Sequence, residues 1–143
     1  MVRPADDLRL ARSAVVLDGR ATALGEATAT PLMSDAIRWG DLLLLSGRAA
    51  VDPATGLVRA TTFGEQLRIV LDDALGVLDA AGTDAGHVLR VECWLRDRRD
   101  FAEWNAAYAA TFPSPRPART TLVADFPIDG LLVELQLTAA VPA

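Results

Sequence analysis

A chain of 143 residues and 15.2 kDa amounts to one domain, long enough to bury a core. Its formal net charge of −5, with no run of Lys or Arg, argues against nucleic acid as the main partner. The lone Cys93 excludes an intrachain disulfide and a cysteine-based zinc site, and the lone His87 excludes a histidine cluster for a metal. No secretory leader pattern is present, and no apolar run approaches the roughly 20 residues needed to span a bilayer. A cytoplasmic protein without a membrane partner is the expectation.

Residues 1–8 read as a loose tail. Residues 10–17 suit a first strand, stopped by Asp18-Gly19. Residues 19–35 are rich in Ala, Thr and Gly without a period, as in a loop or an irregular strand pair. Residues 36–46 are apolar and β-like, broken by the hairpin signal Gly40-Asp41. Leu42, Leu43, Leu44 and Leu45 lie between glycines, which predicts a strand buried on both faces. Asp52-Pro53-Ala54-Thr55-Gly56 is a turn signal.

A first helix is predicted over residues 62–81. Leu67, Val70, Leu71, Ala74, Leu75 and Leu78 recur at helical spacing, Glu65, Arg68, Asp72 and Asp79 form a solvated face, and Gly82 is the stop. A strand follows over 88–95, with Val91, Cys93 and Leu95 alternating against polar neighbours. The second helix starts near Asp100, which forms a capping pair with Glu103. Phe101, Trp104, Tyr108 and Phe112 mark its packing face, and Pro113 ends it.

Two β-rich runs close the chain, 117–123 and 131–141. In the last, Val133, Leu135, Leu137 and Ala139 alternate with Glu134, Gln136, Thr138 and Ala140. Glu134 is the feature that needs explaining, because an ionised carboxylate among apolar neighbours is costly unless paired. Arg119, fifteen positions earlier, is its expected neighbour if the two runs pair. The plain reading of the two is a structural ion pair between adjacent strands; the functional reading is a site. The element order β, hairpin, α, β, α, β, β gives an α+β fold: a mixed sheet with both helices on one face. The other sheet face also carries apolar residues, which argues for an oligomer.

Several motifs are more specific. The segment from Gly40-Asp41 through Ser46-Gly47, the turn at Asp52-Pro53, Phe101-x-x-Trp104-Asn105-x-x-Tyr108-x-x-x-Phe112-Pro113, Pro117-Ala118-Arg119-Thr120 and Val133-Glu134-Leu135 resemble the reactive-intermediate deaminase family (RidA, also called YjgF). The resemblance covers residues 30–143 as one domain and leaves 1–29 poorly matched. It implies a chorismate-mutase-like α+β subunit in a homotrimer, with clefts between subunits. It further implies hydrolysis of 2-aminoacrylate-type enamines and imines to 2-keto acids and ammonia, without cofactor or metal. Carried over, Arg119 binds the substrate carboxylate, as a guanidinium fork can. Glu134 positions and activates water. Ser46 and Gly47 supply a hydroxyl and a close backbone approach. Thr121, Trp94 and Met33 stand at cleft positions.

Three positions depart from the family pattern. Met33 stands where a tyrosine is common, Thr121 replaces a cysteine, and Arg48 replaces the glutamine after Ser-Gly. Arg48 suggests a larger or dianionic substrate. Two alternatives to the deaminase stay open: a related enzyme acting on a different imine or carboxylate, and a non-catalytic trimer that binds a small regulatory ligand.

Overall fold

The computed structural model describes residues 33–143 and, as backbone only, strand residues 12–15. The expected tail, the ends of the first strand and most of the 19–35 segment lie outside the described residues. The strands are β1 (Arg12–Val15), β2 (Ala36–Trp39), β3 (Leu42–Leu45), β4 (Arg48–Ala49), β5 (Val88–Leu95), β6 (Ala118–Val123) and β7 (Val133–Ala140). They build one sheet in the order β1-β2-β3-β7-β5-β6, with β4 also on β7. Only the β5–β6 pair is parallel, so the sheet is mixed, as expected. Among the described residues two α-helices pack on one face: α1 (Phe63–Ala80) and α2 (Phe101–Thr111).

Local chemistry explains the boundaries. Gly40 takes φ 58 at the first position of the two-residue β2–β3 turn, which closes an antiparallel hairpin with the natural strand twist. Asp52 Oδ1 accepts from the Ala54 N–H at 2.8 Å and holds the next turn. Thr62 caps α1, its side chain accepting from the Glu65 N–H. At the other end Gly82, with φ 81, lets the Thr83 N–H reach Leu78 O at 3.0 Å. Asp100 makes no side-chain cap at α2. That task falls to Asp97, which accepts from the Arg99 N–H at 2.8 Å, because a short 3-10 turn (Arg98–Asp100) precedes the helix.

The core lies between the helices and the inner sheet face. Leu67, Val70, Ala74 and Leu78 of α1 meet Val91, Cys93, Leu135 and Leu137. Cys93 behaves as a small hydrophobe, and burial pushes its thiol up to about 12. The expectation that residues 42–45 are buried on both faces fails. Leu43 and Leu45 are buried, whereas Leu42 and Leu44 are exposed. The reason is one-sided cover: both helices lie on the inner face, leaving Trp39, Leu42, Leu44 and Leu122 bare on the outer one. The helix α2 stripe also needs amending. Trp104, Tyr108 and Phe112 are buried, but Phe101 is exposed.

Candidate functional site

The last two runs do not pair with each other. β6 pairs with β5, β7 pairs with β5 on its other side, and β5 therefore separates Arg119 from Glu134. Arg119 lies across from Val91, on the inner, helix-covered face. Glu134 lies across from Trp94, on the outer face. Directly paired residues share a face and neighbours along a strand alternate. The two charges thus point opposite ways, and the expected ion pair within one chain does not exist.

Glu134 sits where the sheet is irregular. Leu44 lies across from Thr138 and Arg48 from Leu135, so four steps along β3–β4 match three along β7. The extra residue falls at Ser46-Gly47 and forms a β-bulge, a common device for re-aiming a strand beside a site. Gly47 presses its backbone against the carboxylate: a Cβ on it would lie 2.1 Å from Glu134 Oε1. No hydrogen bond or ion pair reaches that carboxylate among the described residues, and burial raises its pKa above the ordinary carboxylate value.

Glu134 faces a cleft of about 230 Å³. Met33, Val51, Pro53, Pro127, Ile128 and Leu131 give it largely apolar walls, and Asp35, Gly47, Arg48 and Asp73 supply its polar ones. Asp73 is bridged by Arg59 at 3.5 Å. Arg48 donates to Asp35 Oδ1 at 2.7 Å, with both side chains nearly buried. Its charge is therefore balanced from within the chain, which removes the argument for a dianionic substrate. Ser46 is similarly committed. Its N–H donates to Asp35 O at 2.9 Å and its hydroxyl to Ser34 O at 2.7 Å, so it clamps the Met33 side of the cleft to the bulge.

Arg119 occupies a second, separate setting. Its Nη1 donates to Asn105 Oδ1 at 2.8 Å. Its guanidinium carbon lies 4.7 Å from the Tyr108 ring centre, 5.7 Å from Phe101 and 5.9 Å from Trp104. Three α2 rings and one amide therefore orient an exposed cation, leaving the rest of its fork free among the described residues. Thr121, on the same face two residues on, accepts from Trp104 Nε1 at 3.0 Å. Tyr108 is fixed in turn by donating to Pro117 O at 2.9 Å.

The predicted site residues therefore fall into two groups. Met33, Gly47 and Glu134 share the cleft, with Ser46 bonded behind it and Trp94 beside Glu134 on the outer face. Arg119 and Thr121 belong to the α2 side. Sequence reasoning gave Asn105 no role. Its signal was a polar residue embedded between the aromatic positions of one helix. Among the described residues no group of three His, Cys, Asp or Glu could hold a metal ion, and no helix is long and apolar enough to cross a membrane.

The chain resembles known proteins along most of its length. The endoribonuclease L-PSP family model matches residues 25–141. A RutC family protein of Pyrococcus horikoshii is 36% identical over 107 residues, 74% of this chain and 84% of that one. Reactive Intermediate Deaminase A, chloroplastic, of Arabidopsis thaliana is 36% identical over 97 residues, 67% of this chain and 52% of that one. The crystal structure of YyfA, a Rid family protein of Yersinia pestis, superposes with a TM-score of 0.77 at 26% identity, covering 92% of this chain and all (100%) of that one.

Proposed function

The chain belongs to the endoribonuclease L-PSP family, also called YjgF or RidA, and from that premise we propose that it hydrolyses small 2-enamine and 2-imine carboxylates to 2-keto acids and ammonia. The observation that carries this reading is Glu134, a half-buried carboxylate with raised pKa and no partner among the described residues, facing a mostly apolar cleft. A carboxylate in that state holds a proton more readily than a solvated one, which suits it to take and return a proton.

In the proposed reaction, the substrate carboxylate docks on the oriented fork of Arg119. A 2-enamine first tautomerises to the imine, gaining a proton from water at its terminal carbon and losing one from nitrogen to water. Glu134 then accepts a proton as water oxygen attacks the imine carbon, forming the C–O bond and moving the C=N π electrons to nitrogen. Glu134 returns that proton to nitrogen, giving the carbinolamine; the proton of its new hydroxyl then passes to nitrogen, the C=O bond forms as the C–N bond breaks, and ammonia and the keto acid leave. No electrons are exchanged with an outside carrier. Within one chain Glu134 and Arg119 face opposite ways, so this reading requires a second copy to bring its Arg119 to the cleft. The bare apolar outer face supports such an assembly, and a homotrimer is the form proposed. The name deaminase on the Arabidopsis relative agrees with the reaction, and the acidic balance of the chain favours a small ligand over RNA.

The test is a coupled assay. A pyridoxal-phosphate-dependent lyase generates 2-aminoacrylate from serine, and keto-acid release is followed with and without this protein. Acceleration by the wild type, lost in both Arg119→Ala and Glu134→Gln, is the expected result. No acceleration by a folded, assembled wild type would remove the deaminase reading and leave a ligand-binding assembly.

A further inference from the structure

We infer that Gln66 is a positioning residue for Glu134: from the buried side of the molecule it fixes the loop that forms one wall of the cleft. The inference rests on the catalytic reading of Glu134, but its first test does not.

Gln66 lies in the first turns of α1 and has no exposed surface, 0%. A side-chain amide in that position is costly unless bonded. Nε2 donates to Ala60 O at 2.9 Å and to Gly130 O at 2.8 Å, while Oε1 accepts from the Leu132 N–H at 2.8 Å. Two of the three bonds end on the short stretch that enters β7, far along the chain from α1. Leu132 is two residues before Glu134 and immediately precedes β7. Gly130, with φ 89, closes the loop whose Pro127 and Ile128 line the cleft together with Leu131.

Gln66 itself does not line the cleft. It acts only through the backbone it holds. Core packing alone would be served by any apolar side chain of similar size, as at Leu67 and Val70 beside it. An amide whose donors and acceptor converge on the entry to β7 does something else: it sets where the strand begins and keeps the apolar wall closed against Glu134. Among the described residues the other charged groups on the cleft are Asp35, Arg48 and Asp73, with Arg59 bridging the last. Among the described residues no hydrogen bond or ion pair reaches the Glu134 carboxylate, so the walls are what shield it from water.

The test replaces Gln66 by Met, which keeps length and bulk and removes all three bonds. The Glu134 carboxyl is titrated through its carbon-13 signal in both proteins, and steady-state rates on 2-aminoacrylate are compared. The expected result is a Glu134 titration moved back toward the ordinary carboxylate range. It comes with a kcat reduced about tenfold or more and a KM little changed, since the substrate carboxylate is held elsewhere. An unchanged Glu134 titration with unchanged kcat, beside a lowered Tm, would make Gln66 merely structural and overturn the inference. If Gln66→Met does not fold, hydrogen exchange in the wild type decides: the Leu132 amide must exchange as slowly as the amides inside β7, and exchange at loop rates would overturn the lock. A wild type that hydrolyses nothing removes the deaminase reading, while the titration still judges Gln66.

Discussion

Arg119 and Glu134 point to opposite faces of one sheet, and strand β5 lies between the strands that carry them. Two strand spacings amount to about 10 Å before the side chains diverge. A small imino acid cannot touch both in one chain. Two residues that look like one ion pair in sequence are thus separate, and the proposed reaction would use them as two half-sites.

This arrangement predicts complementation between inactive chains. Arg119→Ala and Glu134→Gln are each expected to be inactive alone. Co-refolded in equal amounts, they should regain roughly a quarter of wild-type activity, because random assembly pairs an intact Arg119 with an intact Glu134 at about that share of interfaces. Activity that stays at zero in verified mixed assemblies would overturn the site shared between subunits.

Glu134 should cost stability in its ionised form. Burial raises its folded-state pKa above the unfolded value, so folding favours the protonated carboxyl. The chain is then relatively more stable at acid pH, and that advantage is lost as pH rises through the folded-state pKa. Glu134→Gln is therefore expected to raise Tm at pH 7. The gain should shrink as pH falls into the ordinary carboxylate range. A Tm difference independent of pH between 3 and 8 (roughly the span of carboxylate and histidine titration) would contradict the assigned burial effect.

Gly47→Ala tests the contact between the bulge and the carboxylate. The new Cβ would meet Glu134 Oε1, the mobile end of a side chain, so the carboxylate gives way and the fold survives. Stability should change by no more than about 1 kcal/mol. The kcat should fall about tenfold to a hundredfold, since a displaced proton carrier is as harmful as a displaced substrate. A variant with normal kcat would show that the carboxylate position is not what limits the reaction.

The seat of Arg119 makes a separate prediction about binding. Tyr108→Phe keeps the ring under the guanidinium, whereas Tyr108→Leu removes it. The loss of one cation–π contact is worth about 0.5–1 kcal/mol at an exposed site, so Tyr108→Leu should raise KM several-fold more than Tyr108→Phe. Arg119→Lys should not rescue Arg119→Ala, because an ammonium lacks the fork that engages both Asn105 and a carboxylate. Equal KM values for the two Tyr108 variants would reduce the aromatic platform to packing.

Much of this molecule was legible in the chain itself. The alternation from Val133 to Ala140, the helical period from Leu67 to Leu78, Gly40 in its turn and Gly82 at the helix end all reappear where the pattern put them. These features are local: side-chain period and glycine's freedom at positive φ depend on nearest neighbours alone. The motif around Arg119 and Glu134 also drew attention to two side chains in unusual settings, one stacked on three rings and the other half-buried beside a glycine. Strand adjacency was different. It depends on which strand enters the gap, and β5, forty residues upstream of β7, took the place between β6 and β7 (roughly one in three adjacent strands in a sheet are not sequence neighbours). For the same reason no period could reveal that Leu42 and Leu44 would be left bare, that Asp35 would neutralise Arg48, or that Gln66 would reach across the core to Gly130 and Leu132. The sequence determined which segments are strand or helix and which family the chain belongs to. Only the tertiary structure decided which face each one meets, because that follows from long-range pairing and one-sided helix cover, not from any residue's own neighbours.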